Sequence, residues 1–225
     1  MNRTAYLIPL LALSLVGTAL AAGSRRISKE EREARAEKKA AAAKALELYE
    51  QGRQQSETGR TARRNAREAS STMLSRSLER RARAAFQVAV ERYEEAVGLD
   101  GGLHQAWNEL GYARRVLGDY ETSLEAYEKA LELKPGYAPA IEYRAEALLG
   151  LGRLDEVEQA YMDLFRRDRG LAKQLAEASA SWVQARRSDP RGISPERLER
   201  FSGWLETRRG LASGSAAGSS NSRGW

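Results

Sequence analysis

The 225-residue sequence predicts an all-α protein built of stacked helical hairpins. The first observation is a complete helix–turn–helix unit between His104 and Pro135, with its turn at Gly118 and Asp119. The second is that much of the same pattern returns after about 34 residues. The third is that no useful length of the chain alternates apolar and polar residues as a strand does. A charged fraction of 30% suits exposed helices around a modest core.

Large, small and helix-breaking residues follow one another at fixed spacing in the unit that begins at His104. They are Trp107, Leu110, Gly111, Tyr120, Ser123, Tyr127, Ala130 and Pro135. Their order resembles the tetratricopeptide repeat (TPR), whose pattern is close to W-x2-L-G, then A-x3-F/Y, then P. The resemblance implies a TPR-type α-solenoid, in which small residues at the helix crossings let two antiparallel backbones approach closely.

The flanking repeats are less complete than the central one. Downstream, Ile141 replaces Trp107, Ala145 replaces Gly111 and Tyr161 repeats Tyr127. Upstream, only a second helix is recognisable, through Phe86, Ala89, Tyr93 and Ala96. We therefore expect about three helical hairpins, with a long N-terminal helix pair and C-terminal capping helices.

Residues 1–22 have the parts of a signal peptide. Arg3 precedes an apolar run from about Tyr6 to Val16, and small residues with an Ala19-x-Ala21 pattern follow. This pattern predicts export and a periplasmic location, typical of an exported bacterial TPR protein. An uncleaved anchor is the alternative, which the short apolar run disfavours because a spanning helix needs about 20 apolar residues.

The region before the clear repeat divides at a polar stretch. Ser28 and Glu31 form a capping box that begins a helix ending near Gly52. Residues 51–61 then predict a break, so residues 23–60 are expected to be a charged helix and turn. The absence of glycine and proline from 61 to 97 predicts one long helix, which enters a solenoid covering residues 61–187.

Two helices are predicted after the repeats. The first, from Leu171 to Arg187, places Leu175 and Trp182 on one face and is expected to cap the open end of the solenoid. The second occupies residues 188–209 and begins at Ser194 and Pro195, a favourable N-cap and N1 pair. Residues 210–225 are rich in Gly and Ser and predict a disordered tail.

The sequence indicates binding rather than catalysis. It has no cysteine, and His104 is its single histidine, without partners at the spacing that a metal or catalytic site needs. Pairs of glutamates on exposed helix faces lack environments that would separate their pKa values. We therefore predict no catalytic residue, no cofactor and no metal site.

The TPR resemblance also implies a concave groove that holds a peptide or protein partner. Residues of the first helix of each repeat would line it: Gln105, Asn108, Tyr112, Arg115, Glu142, Glu146 and Leu149. Asn108 could bond a peptide backbone while the Tyr112 ring packs beside it. Glu142 and Glu146 opposite Arg115 would suit a mixed-charge or basic ligand. An ordinary solvated surface is the alternative.

A basic stretch from Arg60 to Arg83 offers a second binding surface. Arginine-rich helices bind nucleic acid or anionic lipid. This one has no interleaved aromatic residues, so nucleic acid is not expected, and a solvated helix face is the simplest interpretation. The alternative function is a structural or accessory subunit that docks on an envelope complex or an anionic surface through this helix, or that supports a separate enzyme. Contact with a membrane surface through Arg60 to Arg83 is the less favoured of these interpretations.

Overall fold

A computed structural model describes residues 28–217, with side chains to Arg209. This part of the chain contains eight α-helices and no strand, which confirms the predicted all-α class. The helices are α1 (Lys29–Glu68), α2 (Thr72–Leu99), α3 (His104–Leu117), α4 (Tyr120–Leu133), α5 (Ala138–Gly150), α6 (Leu154–Arg167), α7 (Arg169–Ser188) and α8 (Pro195–Ala217).

The first six helices form three antiparallel hairpins, α1–α2, α3–α4 and α5–α6. Each hairpin packs on the next, because α2 contacts α3 and α4 contacts α5. The first helices of the hairpins also contact one another, so α1, α3, α5 and finally α7 make a continuous inner row. This arrangement is a TPR-type solenoid.

A glycine follows the first helix of both later hairpins, and the turn at Gly118 is the predicted one. Gly118 and Gly152 have φ angles of 98° and 69°, in the left-handed region that favours glycine. Gly150 has a different role, because the Tyr120 ring of α4 packs on it. A Cβ atom at Gly150 would lie 2.5 Å from Cε1 of Tyr120.

A glycine backbone beneath a buried tyrosine ring defines the crossing in two hairpins. A Cβ atom on Gly111 would lie 2.6 Å from Cε1 of Tyr127, and one on Gly52 would lie 2.6 Å from Cε1 of Tyr93. Both tyrosines are fully buried. In the third hairpin, the buried Ala145 takes the position of Gly111. Small residues therefore set how closely the helices approach, as the TPR resemblance implies.

The predicted break at residues 51–61 and the single long helix from 61 to 97 are wrong. Helix α1 runs through the polar stretch, and the chain turns only at residues 69–71. Gly59 is a packing glycine like Gly52, because a Cβ atom there would lie 2.7 Å from the Phe86 ring. The true boundary carries an N-cap, since the Ser71 hydroxyl accepts a 3.2 Å hydrogen bond from Leu74 N.

The capping box at the start of α1 has the predicted form. The Ser28 hydroxyl accepts a hydrogen bond from Glu31 N at 3.1 Å, and the Glu31 carboxylate accepts one from Ser28 N at 2.8 Å. The predicted signal peptide, residues 1–22, lies outside the described residues.

Helix α7 covers the end of the solenoid by packing on α5 and α6, and α8 packs on α7. The buried face of α7 is centred on Ala172, Leu175 and Ser179. Trp182 of α7 is half-buried, and its ring is edge-on to that of Phe201, with 6.2 Å between the ring centres. Helix α8 continues to Ala217, so disorder was wrongly expected for residues 210–217. Residues 218–225 lie outside the described part of the chain.

The crossing at Gly52 gives a stability test. We expect Gly52→Ala to lower the free energy of unfolding by about 1–2 kcal/mol, because the new methyl group displaces the buried ring of Tyr93. The control is Gly203→Ala in α8, where a Cβ atom meets nothing within 4 Å. That change should raise stability by up to about 1 kcal/mol through helix propensity. Urea denaturation of both variants measures the difference, and a harmless Gly52→Ala would contradict the packing role.

Candidate partner-binding groove

Two arginines and two tyrosines alternate across the inner row of helices. The Arg60 guanidinium of α1 lies 4.9 Å from the centre of the Tyr112 ring of α3. The Arg115 guanidinium lies 5.3 Å from the Tyr112 ring and 5.6 Å from the Tyr143 ring of α5. The two rings are 5.3 Å apart. We call Arg60, Tyr112, Arg115 and Tyr143 the ladder; cation–π contacts join its members across three helices.

Each arginine of the ladder has a carboxylate partner. The Nη1 atom of Arg60 lies 3.8 Å from the Oε2 atom of Glu109, and Arg115 forms an ion pair with Glu146 on α5. The side chains of Arg115 and Glu146 are only 17% and 20% exposed, so this pair is poorly screened by solvent. Burial raises the pKa of Glu109, and Arg60 opposes that shift. Positive charge along the ladder is therefore balanced locally.

Glu142 lies on α5 near this ion pair and is 2% exposed. Its Oε2 atom has no hydrogen-bond partner in the described part of the chain. Burial, and secondly the charge of Glu146, raise the pKa of Glu142 to about 8. Because this pKa lies above 7, Glu142 is mostly protonated at neutral pH.

Asn108 is also nearly inaccessible, at 2% exposure. Its Nδ2 donates a 3.3 Å hydrogen bond to Glu109, and its Oδ1 has no partner among the described residues. The expectation that Asn108 offers a free amide to a ligand therefore needs correction. Its helix, α3, contacts both α1 and α5 in the inner row, which leaves little open surface at this position.

The predicted groove residues separate into two layers. Tyr112, Arg115 and Glu146 are partly exposed and Gln105 is exposed, so these four form the accessible surface. Asn108, Glu142 and Leu149 are buried and support that surface from below.

Sequence reasoning missed three contributors, Tyr143, Arg60 and Glu109. Tyr143 follows Glu142 directly and could have been found as an aromatic residue in the first helix of a repeat. Arg60 joins the ladder only because α1 continues past Gly59, which the predicted break concealed. Glu109 is identified by its contacts with Arg60 and Asn108, which the sequence pattern does not show.

The remaining chemistry of the described residues is limited. His104 packs edge-on to Tyr137 at 5.0 Å, and its pKa is lowered by burial and by Lys134. Within residues 28–217, no group of three or more histidine or carboxylate side chains could hold a metal ion. None of the helices in the same range is both long and apolar enough to span a bilayer.

Comparison with known proteins identifies the central repeat. The tetratricopeptide repeat family model matches residues 104–137, so the chain contains a TPR there. The chain is 30% identical over 90 residues to the heat shock protein sti1 homolog of Schizosaccharomyces pombe, covering 40% of this chain and 15% of that protein. It is 35% identical over 80 residues to the protein O-mannosyl-transferase TMTC1 of Mus musculus, covering 36% of this chain and 8% of that protein.

The chain thus matches only a small part of the length of these relatives. What it shares with them supports a protein–protein interaction module, the general role of TPRs. The rest of either relative carries no information about this chain.

The protonation of Glu142 predicts a pH-dependent stability. Its folded pKa of about 8 exceeds the ordinary 4.5, so the folded protein holds a proton that the unfolded chain releases as the pH rises. We expect this contribution to be fully present below pH 4.5 and lost through pH 8. Glu142→Gln cannot ionise. Its free energy of unfolding relative to that of the wild type should therefore rise by on the order of 2 kcal/mol between about pH 5 and pH 8.

Urea denaturation across this pH range measures the gain. Glu125→Gln, an exposed position on α4, is the matched control and should follow the wild-type profile. A constant difference between Glu142→Gln and wild type at all pH values would contradict a protonated Glu142.

Proposed function

We propose that the chain is a non-enzymatic interaction module that holds a peptide segment of a partner protein against the inner faces of α1, α3 and α5. The observation that carries this proposal is the ladder, whose rings and guanidinium groups are fixed by contacts across three helices. A surface that is already ordered before binding loses little side-chain entropy when a ligand arrives.

Charge balance favours an uncharged peptide segment. Arg60 and Arg115 are paired with Glu109 and Glu146, and Glu142 is largely neutral at pH 7. The groove therefore offers no unpaired cation to a terminal carboxylate and little net attraction for a basic ligand. This replaces the mixed-charge or basic ligand that the sequence favoured.

The accessible groups define what such a segment would contact. The partly exposed rings of Tyr112 and Tyr143 can pack against an apolar or aromatic side chain. The exposed amide of Gln105 can donate to and accept from a peptide backbone. A short segment with one or two apolar side chains and no charged side chain fits both features.

The proposal places this module in the periplasm as a binding rather than a catalytic protein. The pattern of residues 1–22 supports export. The absence of cysteine and the single histidine support a role without catalysis. The name of the mouse relative denotes a transferase, but the match covers 8% of that protein.

Site-specific cross-linking tests the groove. A photo-reactive amino acid at Gln105 should capture a partner in the native envelope, while the same group at the exposed Lys129 of α4 should not. Capture from Lys129 alone would place the binding surface on the outer helices and contradict the groove.

Removing the aromatic rings should weaken that partner's binding. Tyr112→Leu with Tyr143→Leu keeps apolar bulk but removes both ring faces, and we expect at least about a tenfold rise in Kd. Glu125→Ala with Met162→Ala, at exposed positions on α4 and α6, is the control and should leave Kd unchanged. Calorimetric titration with the captured peptide gives both values; equal affinity in the tyrosine variant would refute the proposed contacts.

A further inference from the structure

The α1–α2 hairpin extends beyond the rest of the solenoid. Glu79, Arg80 and Phe86 of α2 line a cleft with Val116 and Leu117 at the end of α3. From Leu78 back to Thr72, α2 continues for seven residues beyond this cleft, which is about 10 Å at 1.5 Å per residue. We call residues 63–83, which include the end of α1, the turn and the start of α2, the hairpin tip.

Most of the protein's net charge lies on the hairpin tip. Residues 63–83 hold seven arginines and two glutamates, a net charge of +5, compared with +6 for the whole chain. The rest of the sequence is therefore nearly neutral.

The arginines of the hairpin tip lack the partners that arginines elsewhere have. Arg114 lies 2.7 Å from Glu94, and Arg144 lies 3.3 Å from Glu128. At the tip, Arg64 donates only to the hydroxyl of Thr61, at 3.4 Å. Among the described ion pairs, no carboxylate lies within 4.0 Å of the other six: Arg63, Arg67, Arg76, Arg80, Arg81 and Arg83.

Two large apolar side chains stand at the apex of the same tip. Met73 and Leu74 occupy the first turn of α2 and are 82% and 49% exposed. Met73 is the most exposed large apolar residue of those described. Neither contributes to a core cluster of the described residues. The hairpin tip therefore combines two exposed apolar side chains with arginines that have no carboxylate partner among the described ion pairs.

We propose that the hairpin tip docks on an anionic phospholipid bilayer, with Met73 and Leu74 inserted at the headgroup boundary and the surrounding arginines on lipid phosphates. Apolar insertion and attraction to anionic lipid are the two terms that hold interfacial segments on membranes. Each basic side chain near an anionic surface contributes about 1 kcal/mol. Arginine donates to phosphate oxygens in a bidentate geometry.

The composition of the tip distinguishes a bilayer from other anionic partners. Single-stranded nucleic acid is bound by stacking on aromatic rings, and residues 63–83 contain none. An acidic protein would pair with the arginines but would need a matching pocket for the projecting Met73. A fluid bilayer surface accommodates a convex apex without such a pocket.

Vesicle co-sedimentation of the full chain tests the charge contribution. Vesicles of phosphatidylcholine with about 30 mol% phosphatidylglycerol supply the anionic surface, and pure phosphatidylcholine is the neutral comparison. Arg76→Gln, Arg80→Gln and Arg81→Gln together should weaken partitioning about a hundredfold. The control neutralises Arg35, Lys38 and Lys39, exposed at the start of α1, and should have little effect.

A single fluorescent label tests insertion at the apex. The chain has no cysteine, so Met73→Cys provides one site for an environment-sensitive dye. Anionic vesicles should shift its emission to the blue, whereas the dye on Ser181→Cys, exposed on α7, should not respond. This readout is specific to the tip, so any lipid binding by the apolar residues 6–16 does not affect it.

The apolar contribution has its own variant. Met73→Ser with Leu74→Ser should weaken partitioning at least about tenfold, while Leu46→Ser with Met162→Ser, two exposed apolar positions elsewhere, should not. The proposal is overturned if the Met73→Cys label gives no shift on bound protein, or if tip and control variants lose equal affinity. It is equally overturned if the tip binds an acidic protein or an oligonucleotide but not anionic vesicles.

Discussion

The close approach of a glycine backbone to a buried tyrosine ring is the contact on which this architecture depends. In the first hairpin the Tyr93 ring covers Gly52, and its hydroxyl lies 3.1 Å from the buried Ser56 hydroxyl. In the second hairpin Tyr127 covers Gly111 in the same way. The absent Cβ atom lets the two helices approach until the ring fills the gap between them. Repetition of this crossing sets the inner helices side by side.

The same contact supports the ladder. Tyr127 lies fully buried under α3, and its ring centre is 6.4 Å from that of Tyr143 in the groove. The Arg115 guanidinium favours the charged form of Tyr127, but burial dominates and raises the pKa of that tyrosine above its usual range. A core ring that is fixed by Gly111 thus touches both an aromatic and a cationic member of the groove. Core packing and site geometry are not independent here.

The sequence predicted the middle of the chain better than its beginning. Helices α3 and α4 form the predicted unit, which begins at His104, turns at Gly118 and Asp119 and ends before Pro135. In α1, local rules favour a break at Gly52 and Gly59, since a glycine within a helix costs about 1 kcal/mol. Contacts with Tyr93 and Phe86, 41 and 27 residues away in sequence, outweigh that cost. The protonation of Glu142 likewise depends on its burial, which the spacing of apolar residues in the sequence did not predict.

Arginine serves two physical roles in this molecule, and the neighbouring residues decide which. In the ladder, Arg60 and Arg115 pack against aromatic rings and pair with carboxylates. Their side chains are therefore held in place and their charges are balanced by their neighbours. At the hairpin tip the same side chain stands without a carboxylate and remains solvated. Contacts at a neutral groove change little with ionic strength, whereas attraction between free arginines and an anionic surface is screened within about 8 Å at physiological salt. The salt dependence of binding therefore distinguishes the two surfaces. Added salt weakens binding through the hairpin tip and leaves binding in the groove nearly unchanged.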